Sequence, residues 1–200
     1  MKNIVFDLGG VLFARDKSKC TPELLEFFSF LRAPRMPLFW EEYDRGTSTL
    51  EEVTATISGM TGRPVETCAA VLRLAVDLQE PVKPTERLVG DLKAAGYRLY
   101  VLSNMSREFI DFLRRFPVYG LFDGEVVSCE EHTVKPEPRI YEILLERYGL
   151  TPSETLFIDD REMNIEAAAA LGIHGFVFEH RDPDAACDAL RRRLLQSDCI

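Results

Sequence analysis

From residue 83 onward, the sequence alternates between two hydrophobic periodicities. Residues 85–95 carry apolar side chains at helical spacing, whereas residues 97–102 form a short apolar run that is typical of a buried strand. The same succession is repeated to the end of the chain, and glycines such as Gly96 and Gly149 close the helical stretches. This alternation predicts a parallel sheet with helices on both faces, because each helix carries the chain back to begin the next parallel strand.

The individual elements follow from these periodicities. The predicted strands are residues 4–6, 97–102, 124–127, 155–158 and 173–178. The predicted helices of this part of the chain are residues 85–95, 107–115, 138–149, 162–171 and 183–195, and residues 128–134 are predicted to be a polar loop.

Residues 14–82 differ in character from the rest of the chain. They show helical periodicity and no convincing strand, and the predicted helices are residues 22–31, 37–43, 50–60 and 65–78. The sequence therefore predicts a core domain made of residues 1–13 and 83–200 and a helical cap domain made of residues 14–82. An all-helical insertion directly after a strand-end acid suggests a lid over a site, and an independent helical domain without a catalytic role is the alternative.

The composition excludes several classes of protein. With 200 residues, 46% of them apolar, the chain is long enough for a sizeable core, and its formal net charge of −9 argues against nucleic acid as a partner. No apolar stretch approaches the roughly 20 residues that cross a bilayer, and the chain opens on a strand rather than on a secretory signal. The widely spaced cysteines favour reduced thiols. We therefore expect a cytoplasmic monomer or homodimer that binds neither nucleic acid nor a membrane.

Polar side chains follow the predicted strands at the points where these end. They are Asp7, which precedes a Gly9-Gly10 turn, the Ser103-Asn104 pair, Lys135, and the Asp159-Asp160 pair. Because the carboxyl ends of parallel strands face the ligand site of an open α/β sheet, these groups could converge. Carboxylates, a hydroxyl and an ammonium together suit a phosphate monoester and a divalent cation such as Mg²⁺, which prefers oxygen ligands.

Four motifs in a fixed order carry a resemblance to a known family. They are Asp7-x-Gly-Gly-Val-Leu, Val101-Leu102-Ser103-Asn104, Val134-Lys135-Pro136-Glu137 and Phe157-Ile158-Asp159-Asp160-x₃-Asn164, and they span nearly the whole chain. Their order resembles the haloacid dehalogenase-like hydrolase superfamily, and their details are similar to its helical-capped phosphatases of small metabolites, including bacterial glucose-1-phosphate phosphatases. The resemblance implies a three-layer α/β fold, with a Rossmann-like core, a mainly parallel sheet and an inserted all-helical cap.

The resemblance also implies a role for each matching residue. Asp7 would be the nucleophile that forms an aspartyl-phosphate. Ser103 would hydrogen-bond the phosphate with help from the backbone amide of Asn104, and Lys135 would hold Asp7 and the phosphoryl oxygens. The implied reaction is the hydrolysis of a small phosphorylated metabolite, with sugar phosphates among the candidates.

The cofactor that the resemblance implies is Mg²⁺. Its ligands would be an oxygen of Asp7, the backbone carbonyl of Gly9 and the acidic pair. Within that pair, Asp160 would be the direct ligand and Asp159 a second ligand or an orienting group. Asn164, about one helical turn farther on, would anchor this arrangement.

One position departs from the family's usual pattern. A second aspartate, the general acid and base, normally stands two residues after the nucleophile, and Gly9 occupies that place here. General acid–base catalysis contributes on the order of 10²–10⁴ in rate. The sequence therefore predicts slow hydrolysis of ordinary alkyl phosphates and a preference for better leaving groups, such as those of anomeric sugar phosphates.

Two other functions remain open at the level of sequence. The 2-haloacid dehalogenases of the same superfamily also lack the second aspartate, but they need no Mg²⁺ and typically lack the paired acids that Asp159 and Asp160 provide here. A non-catalytic member that binds a phosphorylated ligand or a protein is the other alternative, because a fold alone does not establish activity.

Overall fold

The computed structural model of the protein describes residues 1–16, 18–32 and 36–196. Its strands are β1 (Asn3–Phe6), β2 (Phe13–Arg15), β3 (Gln79–Pro81), β4 (Arg98–Ser103), β5 (Gly124–Val127), β6 (Thr155–Asp159) and β7 (His174–Val177). Its α-helices are α1 (Pro22–Phe27), α2 (Leu38–Asp44), α3 (Leu50–Thr61), α4 (Val65–Asp77), α5 (Lys83–Ala94), α6 (Arg107–Leu113), α7 (Ser128–Glu131), α8 (Pro138–Tyr148), α9 (Glu162–Ala170) and α10 (Pro183–Leu195). Short 3₁₀ helices cover Ser29–Arg32, Pro117–Leu121 and Pro152–Glu154. None of the helices in this described part of the chain is long and apolar enough to cross a membrane.

Five of the strands form one parallel sheet in the order β5-β4-β1-β6-β7. β1 lies at its centre, paired with β4 and with β6, and Phe6 is level with Val101 on one side and with Ile158 on the other. All of β1 is buried, which explains its apolar sequence, since a strand covered on both faces needs no polar alternation. The register places the carboxyl ends of β1, β4 and β6 at one edge, so the predicted α/β fold with a parallel sheet is confirmed.

The prediction that residues 14–82 contain no strand is wrong at both ends of this segment, which we call the insertion. β2 and β3 pair in antiparallel fashion, with Phe13 level with Pro81. Each strand has three residues, too few for a hydrophobic periodicity to be recognised. The pair closes the base of the insertion, beside a hydrogen bond of 2.8 Å from the N–H of Val82 to the carbonyl of Leu12. Between β2 and β3 the described insertion is helical, as predicted.

Two further predicted elements differ from the structure. The predicted helix at residues 22–31 ends early, because Phe28 leaves helical dihedrals at φ −98° and ψ 20°. The rings of Phe27 and Phe28 then pack against each other with centroids 4.9 Å apart, whereas a helix points neighbouring side chains about 100° apart. The predicted loop at residues 128–134 begins with α7, whose four residues are again too few for a periodic signal.

The insertion has an apolar cluster of its own. Phe28, Trp40, Ile57 and Leu72 belong to this cluster and are almost completely buried. Phe109 of α6, outside the insertion, is part of the same cluster, so burial of apolar surface holds the insertion against the sheet region, by which we mean β1 and the described residues from 83 onward. The division into a core domain and a cap domain stays a prediction.

The cysteines within the described residues form no disulfide. Cys20 is partly exposed, and Cys68, Cys129 and Cys187 are buried. Cys199 lies outside the described residues.

Polar contacts fasten helix α2 of the insertion to the sheet region. Arg45, which follows α2, binds Glu137 through two hydrogen bonds of 2.6 and 3.0 Å. The hydroxyl of Ser128, the first residue of α7, donates to the backbone carbonyl of Asp44. These contacts fix the end of α2 against the edge of the sheet at which β5 ends.

Gly46 lets the chain leave α2 in close contact with the sheet region. Its φ is +74°, and a Cβ there would lie 2.9 Å from Cys129 Cα and closer still to the Cys129 carbonyl oxygen. We expect Gly46→Ala to lower the free energy of unfolding by about 3 kcal/mol or more, because left-handed backbone costs a side chain about 1–2 kcal/mol and overpacking adds about 1–3 kcal/mol. Urea denaturation measures this loss.

Gly62→Ala is the matched control for this substitution. Gly62 has a φ of +69°, but no atom of the described residues lies within 4 Å of the place that its Cβ would take. The control should therefore lose only about 1–2 kcal/mol, the cost of the backbone conformation alone. Equal losses in the two variants would contradict a tight junction at Gly46.

Candidate active site

Asp7 lies directly beyond the carboxyl end of β1, at the centre of the sheet edge. Its Oδ1 accepts hydrogen bonds from the backbone N–H of Leu8 at 2.7 Å and from the hydroxyl of Ser103, the last residue of β4, at 2.8 Å. The ammonium of Lys135 lies 2.9 Å from the same oxygen. Within the described residues no donor meets Oδ2, so this oxygen keeps its lone pairs while the contacts of Oδ1 orient the carboxyl group.

Lys135 links the ends of three strands through a buried ammonium group. Its Nζ donates to Asp159 Oδ2 at 2.6 Å and to the carbonyl of Leu102 at 3.0 Å, in addition to its contact with Asp7. Burial lowers the pKa of this ammonium, but the carboxylates of Asp159 and Asp7 raise it by more, so the net shift of the pKa is upward and the group stays charged. The side chain therefore joins the ends of β1 and β6 by charge and β4 by a hydrogen bond.

The side chain of Asn104 sets the position of Lys135. Its Oδ1 accepts from the backbone N–H of Lys135 at 2.7 Å, and its Nδ2 donates to the backbone carbonyl of the same residue at 2.9 Å. The side chain of Asn104 is thus engaged by the loop that carries Lys135, and the phosphate contact expected of its backbone amide stays a prediction. The phosphate contact expected of Ser103 also stays a prediction, since its buried hydroxyl donates to Asp7.

Asp159, the last residue of β6, is completely buried among hydrogen-bond donors. Besides Lys135, Asn164 Nδ2 lies 3.0 Å from both of its oxygens, and the backbone N–H of Arg161 donates to Oδ1 at 2.8 Å. Asn164 comes from the first turn of α9, in agreement with the anchoring position that the sequence predicts. These contacts orient the carboxylate and use most of its capacity to accept hydrogen bonds.

Asp160 lies one residue farther along and faces the turn that follows β1. Its side chain is 21% exposed, unlike that of Asp159. A Cβ at Gly10 would lie only 2.7 Å from Asp160 Oδ2, and the φ of Gly10 is +78°. A glycine is therefore required at position 10 both by the backbone conformation and by the approach of this carboxylate. Gly9, the other predicted metal-site residue, belongs to the same turn and lines the same cavity.

Carboxylate oxygens of Asp7, Asp159 and Asp160 lie within 4.8 Å of one another, and we call these residues the carboxylate cluster. In the described ranges, no other three acidic, histidine or cysteine side chains come together in this way. Burial raises the pKa of Asp7 to about 6, with Lys135 lowering it and Asp159 and Asp160 raising it, and burial and Asp159 also raise the pKa of Asp160. Three carboxylates around one ammonium leave an excess of negative charge. Oxygen donors with such an excess fit a divalent cation such as Mg²⁺.

A cavity of about 610 Å³ opens over the carboxylate cluster, between the sheet edge and the insertion. Its apolar wall includes Phe28 and Trp40 of the insertion, and Phe13, Met105 and Phe109 outside the insertion. Its polar wall includes Asp44, the last residue of α2, and Arg161, which precedes α9. A cavity of this size suits a small organic ligand, and its apolar walls limit the access of water.

The structure brings the predicted strand-end side chains together at one edge of the sheet, and their individual chemical roles stay predictions. Sequence reasoning missed Asp44 and Arg161, which enter the cavity wall from a helix of the insertion and from the loop after β6. Asp44 belongs to no motif, because its place near the site depends on how the insertion packs. The one available signal is that it lies four residues after Trp40, on the same face of α2.

A comparison with protein families identifies the class of this enzyme. The family model that matches residues 1–172 is described as haloacid dehalogenase-like hydrolase. The chain therefore belongs to the haloacid dehalogenase-like hydrolases. It is a hydrolase with the fold and the strand-end acids that the sequence motifs predict.

Several relatives are similar to the chain over most of its length. A sesquiterpene phosphatase of Aspergillus oryzae is 29% identical over 96% of this chain and 95% of its own. A D-ribitol-5-phosphate phosphatase of Bacteroides thetaiotaomicron is 28% identical over 88% of this chain and 91% of its own. Among solved structures, a family enzyme of Bacteroides thetaiotaomicron in complex with magnesium and inorganic phosphate superposes with a TM-score of 0.70, at 28% identity, over 90% of this chain and 95% of its own.

The charge of Lys135 should be essential for the stability of the sheet edge. We expect Lys135→Met to lower the free energy of unfolding by about 3–5 kcal/mol near pH 7.5, because two buried carboxylates lose their cation. The loss should shrink toward about pH 5. Without the ammonium of Lys135, which lowers it, the raised pKa of Asp7 would rise further in the folded variant. The folded variant would then bind more protons than the unfolded chain, so its stability would fall as pH rises. Urea unfolding in the presence of a chelator measures both values.

Lys93→Met provides the control for this substitution. Lys93 forms an ion pair of 2.7 Å with Asp123, and both side chains are about one third exposed, at 35% and 36%. Its removal should cost less than about 1 kcal/mol, because solvent screens the pair. A loss for Lys135→Met that is small, or that does not change between the two pH values, would contradict the role of its charge.

Proposed function

We propose that the protein is a Mg²⁺-dependent phosphatase that hydrolyses a small phosphorylated metabolite through an aspartyl-phosphate on Asp7. The observation that carries this proposal is the carboxylate cluster gathered around Lys135 at the mouth of the cavity. Membership of the haloacid dehalogenase-like hydrolases and the phosphatase names of its relatives support it.

Asp7 is the proposed nucleophile because hydrogen-bond donors hold its Oδ1, while among the described residues its Oδ2 has no donor. The donors on Oδ1 hold the carboxyl group in one orientation, and Oδ2 attacks the phosphorus in line with the departing oxygen. Lys135 and Ser103 then stabilise the charge that develops on the carboxylate and the phosphoryl oxygens. Water cleaves the aspartyl-phosphate in the second step and regenerates Asp7.

The proposed Mg²⁺ ligands are Asp7, Asp160 and the backbone carbonyl of Gly9. Asp159 is assigned to orient the site rather than to bind the ion as its main carboxylate, because its oxygens already accept hydrogen bonds from Lys135, Asn164 and the Arg161 backbone. When bound, the ion would screen the negative phosphate from the attacking carboxylate. Because the carboxylate cluster carries more negative charge than Lys135 can balance, a divalent cation with oxygen ligands complements it.

The proposed substrates are monophosphates of small alcohols. The relatives that resemble this chain are named for the phosphate of a sugar alcohol and for sesquiterpene phosphates, and a cavity of about 610 Å³ has room for either alcohol. Its mixed wall of aromatic, methionine and charged side chains excludes neither class, so sugar phosphates remain candidates. We further propose that the enzyme works in the cytoplasm, as a monomer or homodimer.

Hydrolysis of 4-nitrophenyl phosphate by wild type and by Asp7→Asn tests the proposed function. We expect turnover that requires Mg²⁺, stops with a chelator, and falls at least about 10³-fold in Asp7→Asn, because the neutral amide cannot act as the nucleophile. A panel of sugar, sugar-alcohol and prenyl phosphates, assayed in the same way, then ranks the substrate classes.

Asp77→Asn is the control, since Asp77 is exposed on α4 and is not among the residues that line the cavity. It should keep wild-type activity with the same Mg²⁺ requirement. Full activity in Asp7→Asn, or hydrolysis that ignores the chelator, would contradict the proposal. Release of chloride from a 2-haloacid without any phosphatase activity would identify a dehalogenase instead.

A further inference from the structure

The proposed reaction moves a proton twice, and position 9 has no side chain to move it. The departing oxygen must gain a proton, and the water that later attacks the phosphoryl group must lose one. Gly9 can do neither. A group that does both must lie in the cavity over Asp7, because proton transfer needs hydrogen-bond reach to the reacting atoms.

Asp44 is placed in this cavity by the insertion. It is the last residue of α2, and its side chain shares the cavity wall with Asp7 and Lys135. Its backbone carbonyl accepts a hydrogen bond from the hydroxyl of Ser128, and its carboxylate faces the backbone N–H of Ser106, which lowers its pKa. Ser128 and Ser106 both belong to the sheet region, so the end of α2 that carries Asp44 is held in place relative to Asp7.

The charges that face Asp44 across the cavity are Arg161, Asp7 and Lys135. Burial raises the pKa of Asp44 to about 7, while Arg161 lowers it, Asp7 raises it and Lys135 lowers it. A carboxyl group with a pKa near neutrality is populated in both protonation states at neutral pH. It can therefore serve as an acid in one step and as a base in the next.

The other charged or titratable side chains near the end of α2 already have polar partners in the structure. Arg45 forms ion pairs with Glu41 and Glu137, and Glu130 forms ion pairs with Arg107 and Arg114. Tyr43 donates a hydrogen bond to Glu108, and a ring nitrogen of His132 contacts the backbone carbonyl of Arg45. Among the described residues, Glu41 is the only other carboxyl group of the cavity wall outside the carboxylate cluster. Its carboxylate is engaged in an ion pair of 2.8 Å with Arg45, which in turn binds Glu137.

We propose that Asp44 takes the place of the missing acid–base aspartate and transfers the proton in both steps; this inference rests on the proposed function. In the first step, Asp7 Oδ2 bonds to phosphorus, the bond from phosphorus to the departing oxygen breaks, and the proton of Asp44 moves to that oxygen to give the alcohol. In the second step, ionised Asp44 takes a proton from water, whose oxygen bonds to phosphorus. The bond between phosphorus and Asp7 breaks, inorganic phosphate leaves, and Asp44 ends protonated as it began.

Asp44 changes what the sequence alone predicts about substrates. Slow hydrolysis of phosphates with basic leaving groups follows from Gly9 if no other residue supplies the proton. With Asp44 in that role, such substrates are not disfavoured. A strong dependence on the basicity of the leaving group should appear only when Asp44 can no longer donate.

Asp44→Asn removes the transferable proton and keeps the size of the side chain and one of its oxygens. Phenyl phosphate and 4-nitrophenyl phosphate are probes of similar shape that differ chiefly in the basicity of the departing oxygen. We expect kcat/KM of this variant for phenyl phosphate to fall about 100-fold or more, and that for 4-nitrophenyl phosphate to fall far less. Because the second step also slows, the acid-quenched variant should carry a phosphoryl group, visible in the mass of the intact chain.

The pH profile separates proton transfer from a structural role. In wild type, kcat/KM for phenyl phosphate should fall as pH rises above about 7, because Asp44 loses the proton that the departing oxygen needs. This limb of the profile should be absent in Asp44→Asn. A residue that only supported the fold would lower the whole profile and leave its shape unchanged.

Glu42→Gln is the matched control, because Glu42 is an exposed carboxylate on the same helix, and Glu41→Gln tests the rival residue. The role of Asp44 is overturned if its Asn variant equals Glu42→Gln with both probes. It is overturned as well if both probes slow equally without phosphorylated protein, or if Glu41→Gln shows the selective loss. Full phosphatase activity in Asp7→Asn would overturn the proposed function itself. If Asp7→Asn is inactive while Asp44→Asn behaves like wild type, only the role of Asp44 is overturned.

Discussion

The ammonium group of Lys135 is the interaction on which the rest of the structure depends. It contacts carboxylates at the ends of β1 and β6 and a carbonyl of β4, inside a part of the protein where charges interact more strongly than in water. Without this cation, Asp7 and Asp159 would face each other as buried like charges, and the sheet edge would be forced open or protonated. One ammonium group cannot neutralise all three carboxylates of the cluster. The sheet edge that Lys135 holds together therefore keeps an excess of negative charge.

The insertion completes the site by its position rather than by a motif. The pairing of β2 with β3 brings both ends of the insertion together beside the turn that follows Asp7. Arg45, Gly46 and the Ser128 hydroxyl then fix the end of α2 against the sheet region. An apolar cluster shared by both parts forms the wall of the cavity, so the insertion shields the reacting groups from water and, in our proposal, supplies the proton through Asp44.

The sheet and its acidic edge could be predicted from the sequence because each depends on local patterns. The apolar run of β1 and the helix–strand alternation identify the parallel sheet, and parallel strands end at one edge, so Asp7 and Asp159 had to lie near each other. β2 and β3 could not be predicted, because three-residue strands carry no periodicity and pair only across the whole insertion. Asp44 could not be predicted for a related reason: its approach to Asp7 depends on the packing of α2, which no short segment encodes.

The central claim is that the carboxylate cluster binds one divalent cation beside a nucleophilic oxygen of Asp7. A crystal structure of the protein with Mg²⁺ and beryllium fluoride, a mimic of a phosphoryl group on a carboxylate, tests this claim most directly. We expect beryllium bonded to Asp7 Oδ2, one Mg²⁺ bound by Asp7 and Asp160, and Lys135 still in contact with Asp7 Oδ1. Beryllium on another side chain, or a cation outside the carboxylate cluster, would contradict the account.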